Sequence, residues 1–165
     1  IGILATENTL ASSRYQQLAS RFNPNTCVVN QPCPGLADAI ELGPDTEQID
    51  AILTRCTAVM TDAGVDRVVL GCTHYPLVKD RLQRLLGSQV HLIDTGEAIA
   101  GEVARRAGSA ERGQGSTRLL TTGSLPRLQQ LIGAYPALSS HFQANQCEAA
   151  PDLSDLAQTS GSSSA

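Results

Sequence analysis

The stretch DRVVLGCTHYPLVKDRLQRLLG, residues 66–87, decides the fold. Its first half, DRVVLG (66–71), is a short apolar run of β-branched residues, the composition of a buried strand. Cys72, Thr73 and His74 follow at once, and Pro76 then opens a helical pattern that Gly87 closes. Strand, polar corner and helix together form a β–α unit. The corner sets a thiol, a hydroxyl and an imidazole side by side.

Working outward, the same unit recurs. IGILAT (1–6) reads as a strand and 8–20 as a helix capped by Asn8 or Thr9. Residues 25–32 read as a second strand. In 44–64, Ile49, Ile52, Leu53, Cys56, Val59 and Met60 recur at steps of three and four. Asp45 is placed to cap that helix, Gln48 stands three residues on, and Gly64 ends it. Strands follow at 90–94 and 117–123, and helices at 97–108 and 124–133, with a loop at 111–116. Such alternation predicts a parallel sheet with helices on both faces, the Rossmann-like α/β class. The Ser-rich end, within 151–165, is expected to be disordered.

Composition narrows the function. The chain has 165 residues, 41% of them hydrophobic and 17% charged, which suits a globular domain with a real core. A net charge of −4 without a basic block argues against nucleic acid and anionic membranes as partners. No apolar run is long enough to span a bilayer, and no leader pattern is visible. Ile1 opens directly on a strand pattern, so the chain is expected to begin within a longer protein. Five cysteines, an odd number with no C-x-x-C pair, predict reduced thiols in a cytoplasmic protein, without a disulfide framework or metal site.

In open α/β sheets, ligands bind beyond the carboxyl ends of the strands. Three such ends carry polar groups: Thr6, then Cys72-Thr73-His74, then Asp94-Thr95. A thiol just before a helix meets the positive end of its dipole, which favours the thiolate, and an adjacent imidazolium adds to the effect. Cys72 is therefore the candidate nucleophile or base. A buried small hydrophobe is the competing reading for a cysteine, and it is the one adopted for Cys27, Cys33, Cys56 and Cys147. His74 has helix capping as its alternative role. His91 and His141 read as structural, and Asp94-Thr95 as the cap of the helix at 97–108.

GVDRVVLGCTHYPLV (64–78) strongly resembles the second-cysteine motif of glutamate racemases, within the aspartate/glutamate racemase superfamily. The likeness extends over about residues 1–135, through IGILAT, PCPGLADAIELG (32–43), LIDTGEAIA (92–100) and LLTTGS (119–124). It implies a cofactor-independent, metal-free racemase whose two cysteines face each other across the substrate's α-carbon. Carried over, Cys72 is one of that pair, and His74 and Glu41 assist it as acid/base helpers. Thr73 and Thr6 lie against the substrate, glutamate. The implied setting is D-glutamate supply for peptidoglycan in a bacterial cytoplasm.

The same resemblance implies an organisation. Residues 1–94 form a complete lobe, and 95–150 form the C-terminal part of a second, similar lobe. The family's Asp-Ser-Gly motif and its first cysteine are missing from this sequence, and neither Cys27 nor Cys33 matches them. A fragment lacking the first catalytic cysteine, inactive alone, is the expectation. The alternatives are another racemase of the superfamily and an inactive truncated domain. A flavodoxin-like nucleotide module is disfavoured because no G-x-G-x-x-G follows a strand. The sequence leaves oligomeric state open, a homodimer included.

Overall fold

The structure, a computed structural model, describes residues 1–44, 46–108 and 117–150. The chain forms two compact units, residues 1–110 and 111–165. In the first unit, β1 (Gly2–Ala5), β2 (Val29–Pro32), β3 (Arg67–Leu70) and β4 (His91–Asp94) form one parallel sheet in the order β2-β1-β3-β4. The helices are α1 (Glu7–Ala11), α2 (Ser13–Ala19), α3 (Leu36–Leu42), α4 (Thr46–Asp62), α5 (Lys79–Leu86) and α6 (Gly96–Ala107). The α/β class expected from the alternation is the one observed.

All four residues of β1 are buried, as befits a central parallel strand covered on both faces. Ile3 and Ala5 point to one face and cluster with Tyr15 of α2. Gly2 lies on the opposite face against Met60 of α4. The α4 stripe of Ile49, Ile52, Leu53, Cys56 and Met60 is buried. Val59, expected on that stripe, is 45% exposed. At 100° per residue it sits roughly 80° from the stripe's centre, where the sheet no longer covers it.

Several boundaries differ from the sequence reading. The helix expected over 8–20 is two helices, because Ser12 leaves helical geometry and caps α2 through Tyr15 N–H. Thr6, not Asn8 or Thr9, is the N-cap of α1. The second strand begins at Val29 rather than 25, since Asn23 and Thr26 close a turn (N–H to O, 2.8 Å). Cys27 falls in that approach and is exposed, not buried. The Asp45 cap, the loop at 111–116 and the tail at 151–165 lie outside the described residues.

The expectation of reduced thiols is corrected as well. Cys33, at the end of β2, and Cys56, on α4, form a disulfide with Cα atoms 6.0 Å apart. They are 23 positions apart in sequence, and only the packing of α4 on the sheet brings them together. Spacing rules built on C-x-x-C do not see such a pair.

In the second unit, β5 (Leu119–Thr121) and β6 (Cys147–Ala149) pair in parallel, with α7 (Leu125–Ala134) and α8 (Pro136–Ser139) between them. Arg118, just before β5, meets Glu148 of β6 at 2.6 Å. Ser124 caps α7 by accepting from Arg127 N–H.

Candidate active site at the carboxyl edge of the sheet

The order β2-β1-β3-β4 reverses direction between β1 and β3. In an open parallel sheet that reversal leaves a crevice at the strands' carboxyl ends. Thr6 follows β1 and Cys72 follows β3, so the two candidate groups flank that point. Gly71 joins the strand ends: its N–H donates to Leu4 O at 2.8 Å.

Cys72 is partly exposed, with His74 Nδ1 3.7 Å from its Sγ. The other ring nitrogen, His74 Nε2, lies 2.8 Å from Glu41 Oε1. Thiol, imidazole and carboxylate thus form one file, although Glu41 and His74 are 33 residues apart. Glu41 arrives on α3, a helix the sequence reading did not delimit. Its signal was present in Leu36, Ala39 and Ile40 at helical spacing, all buried, between Gly35 and Gly43. Gly35, at φ 78°, takes the left-handed backbone that turns the chain from β2 into α3.

The chemistry of the file follows from its ends. A carboxylate can only accept, so His74 Nε2 carries the proton donated to Glu41. In the neutral ring that leaves the Nδ1 lone pair facing sulfur. The imidazole can take a proton from the thiol there, and Glu41 then stabilises the imidazolium. His74 occupies the capping position of the next turn but makes no side-chain cap bond. Its ring is committed to Cys72 and Glu41 instead.

The turn after Cys72 is also tighter than expected. Tyr75–Val78 is a 3₁₀ turn, and the regular helix α5 begins only at Lys79. Tyr75 is fully buried, and its hydroxyl has no hydrogen-bond partner among the described residues. Burial first, and the charge of Cys72 second, push that phenol well above the usual tyrosine range. It therefore stays neutral beside the thiol.

Thr73 is exposed at the same corner. Thr6 is half-buried and lines a cavity of about 290 Å³ with Glu7, Asn8, Cys33, Pro34 and Asp38. Its hydroxyl shares a 2.8 Å hydrogen bond with Thr9 and accepts from Thr9 N–H. Asp94, at the end of β4, has two partners. Oδ1 accepts from Gly96 N–H at 3.1 Å, and Oδ2 meets Lys79 Nζ at 2.6 Å. The Lys79 ammonium, helped by backbone donors, holds the Asp94 carboxyl below the usual range. Asp94 thus supports the start of α6, while Thr95 makes no side-chain cap bond.

Among the described residues, no group of three or more His, Cys, Asp or Glu side chains is placed to hold a metal ion. Among those residues, no helix is long and apolar enough to cross a membrane.

A doubly covered parallel lobe with a thiol–imidazole–carboxylate file at its switch point describes an α/β domain equipped for acid–base chemistry. Residues 1–103 match the Asp/Glu/hydantoin racemase family model, and the chain belongs to that family. A glutamate racemase of Pseudomonas aeruginosa is 41% identical over 140 residues, which cover 80% of this chain and 51% of the relative. The chain thus spans about half the length of the curated relatives it matches. Among solved structures, glutamate racemase isoform RacE1 from Bacillus anthracis superposes with a TM-score of 0.73 at 23% identity. That match covers 92% of this chain and 57% of the other. The Escherichia coli glutamate racemase in complex with L-glutamate and an activator gives 0.70 at 24% identity, covering 90% and 56%. Both likenesses speak to the fold.

Proposed function

We propose that this chain supplies one side of a glutamate racemase active site, with Cys72 as one of the two acid/base thiols. The observation that carries the reading is the file Cys72–His74–Glu41, closed by distances of 3.7 and 2.8 Å at the sheet's carboxyl edge. The names of the 36–41% identical relatives support glutamate over other acidic amino acids as the substrate.

On this account Cys72, as thiolate, removes the α-proton from one face of glutamate. His74 keeps the sulfur ready by taking or returning its proton at Nδ1, and Glu41 fixes the ring's tautomer. Thr73 and Thr6 offer hydroxyls to the substrate. Thr6 must turn its hydroxyl away from Thr9 to do so. The opposite face needs a second thiol, which Cys27 and Cys33 do not provide here. Cys27 sits at the far end of β2 from the site, and Cys33 is bonded to Cys56. The family resemblance, whose first-cysteine motif neither Cys27 nor Cys33 matches, supports a second thiol supplied by the part of the relatives' length that this chain does not span. The product, D-glutamate, would serve peptidoglycan synthesis in a bacterial cytoplasm.

The test is circular dichroism of L-glutamate over time. Residues 1–165 alone should leave the signal unchanged. The same residues joined to the amino-terminal half of a curated relative should drive it to zero. Conversion of aspartate or a hydantoin instead of glutamate would move the reading to another branch of the family. No conversion of any of these by the joined protein would contradict it.

A further inference from the structure

The Cys33–Cys56 pair has a position that its chemistry can exploit. The residues between them, 34–55, hold all of α3, and α3 carries Glu41, whose carboxylate holds His74. Cys33 also begins the turn into α3, since its carbonyl accepts from Leu36 N–H at 3.2 Å. The two cysteines are 2% and 3% exposed, but Cys33 lines the cavity beside Thr6. Of the two, Cys33 is the one that borders this cavity, so the Cys33 side is the approach for a small thiol.

We propose that Cys33 and Cys56 are a reversible dithiol/disulfide pair that locks and unlocks the α3 segment bearing Glu41. Reduction uses a dithiol. One of its thiolates attacks Cys33 Sγ, the bond to Cys56 breaks, and Cys56 leaves as a thiolate that takes up a proton. The dithiol's second thiolate then attacks its own sulfur in the mixed disulfide. Cys33 is released and protonated, and the dithiol departs as a cyclic disulfide. Two electrons and two protons pass to the protein. Oxidation by a small disulfide such as oxidised glutathione runs the exchange in reverse. Closing a loop of roughly twenty residues removes open conformations of the segment inside it. The oxidised form should hold Glu41 on His74 more firmly. A cytoplasmic setting, which keeps thiols reduced, would favour the unlocked form.

The full chain is equilibrated with oxidised glutathione, denatured without reductant and alkylated. Of its five cysteines, three should either react or carry a glutathione adduct visible by mass, two should do neither, and all five should react after dithiothreitol. Trypsin cuts after Arg21, Arg55 and Arg67, so the oxidised digest should contain peptide 22–55 joined to 56–67. Fragmentation then distinguishes Cys33 from Cys27 within the first peptide. Amide exchange across Leu36–Leu42 should be about tenfold or more slower in the oxidised chain, and Cys56→Ser should show the fast rate under both conditions. Five reactive thiols after oxidation, a bond joining other cysteines, or equal exchange rates in the two forms would overturn the proposal.

Discussion

Gly71 stands between the last residue of β3 and Cys72, and adding one methyl group there tests how the fold positions the site. A Cβ on Gly71 would lie 3.0 Å from Ala5 Cβ and 3.3 Å from Leu4 O. Ordinary carbon–carbon contact is about 3.5–4.0 Å, so β1 and β3 must separate by roughly 0.5 Å or more at their carboxyl ends. The obstacles are backbone and the shortest of side chains, which cannot rotate away. The separation would stretch the 2.8 Å bond from Gly71 N–H to Leu4 O. Overpacking of this kind costs about 1–3 kcal/mol, against which the stiffer unfolded chain returns about 0.4–1 kcal/mol. Gly71→Ala should thus be destabilised by about 1–2 kcal/mol, a fall in Tm of roughly 2–8 °C for a chain of this size. Urea denaturation followed by far-ultraviolet circular dichroism gives the number. Gly101→Ala is the internal control. Its Cβ meets nothing within 4 Å on α6, so it should stabilise by about 0.5–1 kcal/mol. Equal stability of Gly71→Ala and the parent chain would refute the close approach of β1 and β3 as the constraint on Cys72.

Two further predictions concern the ionised groups. In the protein completed to the relatives' length, Glu41→Gln and His74→Asn should each lower turnover by about 10²–10⁴-fold without abolishing it, since in the proposed mechanism each assists proton transfer rather than performing it. Turnover equal to the parent's would remove that residue from the file. Lys79→Met frees Asp94, whose folded carboxyl is held low by Lys79. A depressed carboxyl stabilises above its unfolded value of about 3.9, and the effect fades as pH falls through the lower folded value. The parent's advantage over Lys79→Met should therefore be constant above about pH 5 and shrink below about pH 4. With Lys79 41% exposed, it should be no more than about 1 kcal/mol. An advantage that grows toward acid would contradict the pairing.

The repeated strand–corner–helix pattern was legible because β1 and β3 are compact apolar runs, each followed by a polar corner and a helical pattern. The four strands of the first sheet fall where that pattern puts them, β2 being shortened by the Asn23–Thr26 turn. Cys72, Thr73 and His74 were legible as a group because they are consecutive. The contact between Glu41 and His74 came to attention through resemblance alone, since no local rule joins residues 33 apart. Short elements such as β6, three residues long, have no period to read, and only pairing with β5 defines them. The Cys33–Cys56 bond depends on α4 packing across the sheet, which sequence spacing does not encode. Thr6 was read only as a substrate contact, and its capping of α1, where its hydroxyl accepts from Thr9 N–H, was not legible because the helix was expected to start later.

The role of Cys72 as proton carrier is tested most directly in deuterium oxide, by proton NMR of glutamate incubated with the completed protein and with its Cys72→Ala variant. The parent should replace the α-hydrogen of both enantiomers with deuterium while racemising them. On the proposed mechanism, racemisation in either direction uses Cys72 once, as base or as acid. Cys72→Ala should therefore abolish racemisation from both L- and D-glutamate. Racemisation by Cys72→Ala at the parent's rate would contradict the account.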